Sequence, residues 1–211
     1  MIRARRILAV LLLCGYLAPG VTQADAAEAL RSFLDEAQTM SAAFTQTLLS
    51  EAGEVAQSSS GRFYVKRPGR FRWDYESPGE QVVVSDGTSL WMYDVDLEQV
   101  TVRTIDESLG GTPAMLLSGQ GSLDDNFRIV EIYDRDGLAW ADLEPLEASP
   151  EFESLRVGLD GDVVACIEVV DSLGQLSRIE FSDFLRDPPL EDALFRFDPP
   201  PGVDVIGPAA D

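Results

Sequence analysis

Histidine is absent from the 211 residues, lysine occurs once, at Lys66, and cysteine twice. Without imidazole there is no Ser-His-Asp or Cys-His nucleophile pair, no imidazole metal ligand, and no side chain whose unperturbed pKa lies near neutrality. Much hydrolase chemistry is thereby excluded. Positive charge is scarce too: 16 basic residues face 37 acids, for a net charge of -21. Nucleic-acid affinity depends on Lys and Arg neutralising phosphates, so no nucleic-acid partner is expected. Apolar runs are short, and none reaches the roughly 20 residues that a membrane-spanning helix needs.

At the N-terminus, Arg3, Arg5 and Arg6 precede an apolar run from Ile7 to Ala18, followed by Thr22-Gln23-Ala24. This is the pattern of a secretory signal peptide with small residues before the cut. The expected division is a cleaved leader, residues 1–24, and one mature domain, residues 25–211. Removing three arginines and no acids leaves 13 basic residues against 37 acids, a net charge of -24. A chain so acidic is repelled by anionic membrane surfaces and is expected to stay monomeric. Cys14 leaves with the leader, so Cys166, inside Val163-Val164-Ala165-Cys166-Ile167, has no partner for an intramolecular disulfide. It reads as a buried, inert thiol.

Leu30, Phe33, Leu34 and Ala37 fall at i, i+3, i+4 and i+7, which predicts an amphipathic helix from Ala26 to Ala37 with Asp25 as its cap. Past Met40 the helical period could continue through Phe44 and Leu48, but Thr45 and Thr47 favour a strand. Arg70-Phe71-Arg72-Trp73-Asp74-Tyr75 alternates without error. Further strands separated by Gly, Asp and Pro turns run through Gln81–Val84, Leu90–Tyr93, Val100–Ile105, Phe127–Tyr133, Leu138–Leu143, Glu153–Leu159, Val163–Val170, Leu176–Phe181 and Val203–Ile206. One apolar helix interrupts them, with Thr112 as cap, Pro113 at its first position and Gly119 past its end. The chain is therefore mainly β with few helices: a meandering antiparallel sheet that must curl, with helices covering one mouth or one face.

Acidic pairs at Asp94/Asp96, Asp124/Asp125, Asp134/Asp136 and Asp160/Asp162 sit beside Gly or Asn, or between strands. Hairpin turns explain them, and none follows a calcium-loop pattern. The segment from Arg62 to Trp73 holds Arg62, Lys66, Arg67, Arg70 and Arg72, five of the 13 mature basic residues. Either these form local salt bridges on a solvated strand face, or one arginine holds a neighbouring element through its fork of donors. Arg67, wedged before Pro68, is the candidate for the second role. Phe63, Phe71, Trp73, Tyr75, Trp91 and Tyr93 cluster in the same third of the chain, either as a packed core or as the lining of a cavity for a lipid chain.

These residues resemble a known family, the LolA carriers of outer-membrane lipoproteins. Val65-Lys66-Arg67-Pro68-Gly69-Arg70-Phe71-Arg72-Trp73 is similar to its V-K-R-P-x-x-F-x-W strand, and the segment Val84 to Tyr93 to its V-S-D-G-x-x-L-W-x-Y hairpin. Thr112 to Leu117 resembles its T-P-x-x-L-L helix, and Phe195 to Val203 its F-x-F-x-P-P-x-G-V ending. The resemblance spans nearly all of the mature chain.

It implies an incomplete, unclosed antiparallel β-barrel, lidded by short α-helices, that encloses an apolar cavity. The implied activity is non-enzymatic, with no catalytic residue, metal or cofactor. A soluble periplasmic carrier would take the acyl chains of lipoproteins from an inner-membrane ABC transporter and pass them to an outer-membrane receptor. The arginine of the K-R-P motif implies that Arg67 latches the lid around Leu117 and Ser118. Phe71 would lie where the cavity and transfer surfaces meet, and Trp73, Trp91, Tyr93, Met115 and Leu116 would line the lipid site. Three other readings remain: the lipid-anchored outer-membrane receptor of the same fold, which Cys14 serves poorly, a secreted acidic glycosidase, which would need two carboxylates facing across a cleft, and a purely structural β domain with a dry, filled interior.

Overall fold

Alternation along the chain becomes a single twelve-stranded sheet in the computed structural model, which describes residues 23–105, 113–119, 122–146 and 152–207. Most of the expected leader, Cys14 and Thr112 lie outside the described residues. The strands are β1 (Thr39–Leu49), β2 (Val55–Lys66), β3 (Arg70–Ser77), β4 (Gln81–Asp86), β5 (Ser89–Asp94), β6 (Gln99–Thr104), β7 (Phe127–Arg135), β8 (Leu138–Pro145), β9 (Phe152–Asp160), β10 (Val163–Asp171), β11 (Leu176–Arg186) and β12 (Asp204–Ile206). Their order is β12-β6-β5-β4-β3-β2-β1-β11-β10-β9-β8-β7, so two meanders, β1 to β6 and β7 to β11, meet where β1 pairs with β11. The sheet is unclosed, with β7 and β12 at its edges. All neighbours are antiparallel except β12, which runs parallel to β6.

Two differences from the sequence expectation bear on the site. The segment Val65 to Trp73 is not one strand: β2 ends at Lys66 and β3 starts at Arg70. Pro68 has no N–H for a ladder, and Gly69 adopts φ +71°, so the chain turns there. Asp124/Asp125 form no hairpin but open a one-turn helix, whose Ser122 and Asp125 exchange side-chain and backbone bonds in a capping box. The other three acidic pairs lie at hairpin turns, as at Asp136-Gly137, where both residues have positive φ.

Helices α1 (Gln23–Glu36), α2 (Pro113–Ser118) and α3 (Leu123–Asn126) gather on the concave face. Asp25 stands within the first turn of α1 rather than at its cap, where its charge still complements the helix dipole. The stripe Leu30, Phe33, Leu34 and Ala37 is buried against concave residues of both meanders, among them Met40, Phe63, Phe71, Val157 and Ile167. Phe44 packs edge-on against both Trp73 and Tyr75, with ring centres 4.8 and 5.1 Å apart. Leu30, Phe33 and Leu34 of α1 thus pack onto the concave face where the sequence led us to expect a cavity.

The convex face differs between its halves. On β5 and β6, Trp91, Val100 and Val102 form a second core beneath Phe197 and Val203 of the C-terminal segment. On β7 to β11 the convex face carries charge, centred on Glu168, which is 3% exposed. Arg135, Arg156 and Arg178 reach its carboxylate at 2.7, 3.4 and 3.3 Å. Beside this network Trp140 lies over Gly158, where an added Cβ would come within 3.1 Å of the indole ring. Cys166 is buried next to Glu168, and burial pushes its thiol up to about 11, consistent with an inert thiol.

Candidate functional site

Both α1 and α2 lack a basic residue in their last turn, although the last four carbonyls of any helix have no partner within it. Arg67 supplies one cation to both ends. Its Nε donates to the Leu117 carbonyl at 3.0 Å, and one guanidinium Nη donates to the carbonyl of Leu34. Its backbone N–H bonds the Gln38 carbonyl at 2.9 Å, just beyond α1. The side chain is 9% exposed and its other Nη has no partner among the described residues. Burial lowers its pKa to about 10, while Asp35 and Asp187 pull the other way, so the group is charged at neutrality.

The turn beneath Arg67 is itself held to α2. Gly69 N–H donates to the Ser118 carbonyl at 3.0 Å, and Ser85 Oγ donates to the Gly69 carbonyl at 2.7 Å. Gly119 ends α2 at φ +68°, and a Cβ there would fall 2.5 Å from Arg67 Cδ. Only glycine combines this left-handed turn with the passage of the arginine across it.

Among the expected latch residues, Leu117 thus bonds Arg67 directly, whereas Ser118 bonds the Gly69 turn. Phe71 and Trp73 lie on the concave floor at 1% and 5% exposure, so Phe71 is buried rather than placed at a surface. Leu116 joins the same core; α2 includes Met115, whose side chain lies outside the described residues. Trp91 and Tyr93 are a correction. Trp91 pairs with Val84 and Tyr93 with Val82, the register that places them on the convex face under Phe197. Leu90 and Met92 take the concave positions instead.

The basic segment also resolves. Lys66 and Arg70 share Asp192 at 2.6 and 3.0 Å, Arg72 pairs with Asp74, and Arg62 approaches Glu76 at 3.7 Å. Arg67 alone turns inward from this group. Sequence reasoning missed Leu34 as the second acceptor. The signal was available: an amphipathic helix without a basic last turn needs a donor from elsewhere.

Against this geometry, the signature of the family described as outer membrane lipoprotein carrier protein LolA matches residues 35–198. The chain belongs to the LolA family. An outer-membrane lipoprotein carrier protein of Methylococcus capsulatus is 47% identical over 177 residues, 84% of this chain and 85% of that one. One of the same name from Methylibium petroleiphilum is 47% identical over 190 residues, covering 90% and 93%. An uncharacterized conserved protein of Thermus thermophilus has a similar fold, with a TM-score of 0.53 at 14% identity, covering 86% of this chain and 98% of that one. The family match over residues 35–198 takes in the Arg67 turn, α2 and strands β1 to β11.

Proposed function

We propose that this LolA-family chain is a periplasmic carrier that shelters the acyl chains of lipoproteins under α1 and α2. It receives them from an inner-membrane ABC transporter and delivers them to an outer-membrane receptor. In this reading residues 1–24 are removed on export, residues 25–211 act as one monomeric domain, and no catalytic residue or cofactor takes part. The observation that carries it is Arg67, a buried cation that joins the ends of two helices over an apolar concave face.

The energetics suit a reversible carrier. Exposing Leu30, Phe33 and Leu34 by lifting α1 costs about 5–9 kcal/mol at about 1.5–3 kcal/mol per buried side chain. Acyl methylenes return about 0.8 kcal/mol each, so roughly ten of them offset the displacement. A longer chain then binds with a surplus small enough to be given up, because closure of the latch favours the empty state. Leu116, Leu117, Phe71 and Trp73 would touch the chains; Arg67, with Leu117, Ser118 and Leu34, would set the balance between open and closed.

The test adds the mature protein to spheroplasts that make labelled lipoproteins. A soluble one-to-one complex of lipoprotein and protein is the expected result. Retention of all label on the inner membrane, with folded protein and its own transporter present, rejects the reading.

A further inference from the structure

The concave face has a second end. Along β1 from Met40 to Leu48 the strand covers about 27 Å, at roughly 3.4 Å per residue, away from the latch. There the sheet forms an open pocket of about 280 Å³, among whose lining are Gln46, Gln57, Gln81, Ser59, Ser77 and Tyr75. In a chain with 25% charged residues, no charged side chain among the described residues lines it. The groups carry both donors and acceptors: Tyr75 Oη donates to Gln46 Oε1 at 3.0 Å, and Gln57 Nε2 donates to Ser59 Oγ at 3.1 Å. Burial holds the Tyr75 phenol up at about 12, so it stays a neutral donor. One carboxylate stands beside it: Asp96 lies 3.3 Å from where a Cβ on the lining residue Gly79 would sit.

A second observation adjoins this one. Trp73, 95% buried by its 5% exposure, has an Nε1–H without an acceptor among the described residues. Its ring packs on Phe44 at 4.8 Å and Tyr75 at 6.4 Å, so it stands in the floor that connects the apolar core to the pocket. A buried donor without a partner is costly, and a ligand carbonyl at that level would satisfy it.

We propose that this end of the concavity selects the uncharged junction of the lipoprotein, where the acyl ester and amide carbonyls meet the first peptide bonds, and discriminates against lipids with anionic headgroups. The inference rests on the carrier reading and adds specificity to it. Trp73 Nε1–H takes a carbonyl at the head of an acyl chain. The glutamines and hydroxyls of the pocket match the donors and acceptors of a peptide. A phosphate finds no cation among the described lining residues and meets Asp96 beside the pocket, so the abundant phospholipids of both membranes are refused although their chains would fit.

Calorimetric titration can decide it, using a diacylglyceryl-cysteine lipopeptide with a neutral peptide and phosphatidylglycerol with the same short chains. The lipopeptide is expected to bind at least tenfold more tightly. Gln57→Lys, at an exposed lining position, should narrow that ratio at least threefold by strengthening phosphatidylglycerol binding. Trp73→Phe should weaken lipopeptide binding about threefold to tenfold, the range for one hydrogen bond. Equal binding of the two lipids by the native protein, or a ratio unmoved by Gln57→Lys, overturns the selectivity while leaving the carrier reading intact. Binding of neither lipid by folded protein overturns both.

Discussion

Arg67 and Glu168 are the two strongly buried charges among the described residues, one on each face of the sheet, and they are satisfied in opposite ways. Glu168 is met by three guanidinium groups on three different strands. Arg67 is met by neutral carbonyls, with no carboxylate among the described residues in contact. Pulling Glu168 from its site would take from three arginines the buried carboxylate they share and leave each with one outer acid, Asp136, Asp142 or Glu180, whereas pulling α1 and α2 from Arg67 leaves only dipoles to be rehydrated. Burial lowers the arginine's pKa, a sign that its charged form is held without the full compensation an ion pair gives. The convex charge is a staple, and the concave one is bonded as the proposed latch would need to be.

The largest effect expected from breaking this contrast is functional. Arg67→Leu removes a desolvated charge but leaves the Leu34 and Leu117 carbonyls without their donor, so the packing of α1 and α2 should weaken while the sheet beneath stays folded. The closed empty state thereby loses the bonds that favour it. The variant should load lipoprotein and pass it to the receptor at least tenfold more slowly, measured as transfer from the purified complex to receptor in liposomes. Native transfer kinetics would show that Arg67 is no latch.

Next comes the staple. Glu168→Gln keeps the shape but removes the negative charge beneath Arg135, Arg156 and Arg178. Losing one partner of a fully buried pair costs about 3–5 kcal/mol, and these arginines are about one-third exposed, so about 2 kcal/mol is expected in urea unfolding. Lipoprotein loading and transfer by the folded fraction should be unchanged. A transfer defect without loss of stability would mean that the two faces are not separate devices.

Legibility in the sequence follows the same division. The helix stripe Leu30, Phe33, Leu34, Ala37 and the alternation of Phe71, Trp73 and Tyr75 were readable because one face of each element is apolar and the other polar. The strand β5 was not readable in this way. Leu90 and Met92 on one face and Trp91 and Tyr93 on the other are all apolar, so alternation separates two faces without saying which is concave. Cross-strand register decides it, and the apolar convex face is explained only by the C-terminal segment that returns over it from about a hundred residues away. The pocket was hidden for the opposite reason. Gln57, Ser58, Ser59 and Ser60 are all polar and carry no alternation, yet their pairing with β1 makes them strand, and alternate members line the concave end. Arg67 was found from Pro68 and the fork of its guanidinium, and the family resemblance supplied the α2 end of its latch but not Leu34.

The smallest effect sharpens the comparison at one place, the base of α1. Besides Arg67 on the dry side, an exposed carboxylate holds this base from outside: Asp187 Oδ1 accepts the N–H groups of Gln38 and Thr39 at 2.8 and 3.2 Å. Those two hydrogen bonds, the foremost cause, lower its pKa below the ordinary carboxylate value, with Arg186 and Arg67 helping. A carboxylate whose folded pKa is depressed contributes stability that is fully present above its unfolded pKa, about 3.9, and is lost as pH falls through the folded value. Acidification should therefore loosen the hinge at Gln38 and Thr39 below about pH 4. Arg67 remains charged there, with a pKa of about 10. Amide protection factors at Gln38 and Thr39 should fall in that window in the native protein and be low and flat in Asp187→Ala. Equal protection in both proteins at neutral pH would mean that the hinge is held by the buried arginine alone, and that solvent exposure reduces the outer clip to nothing.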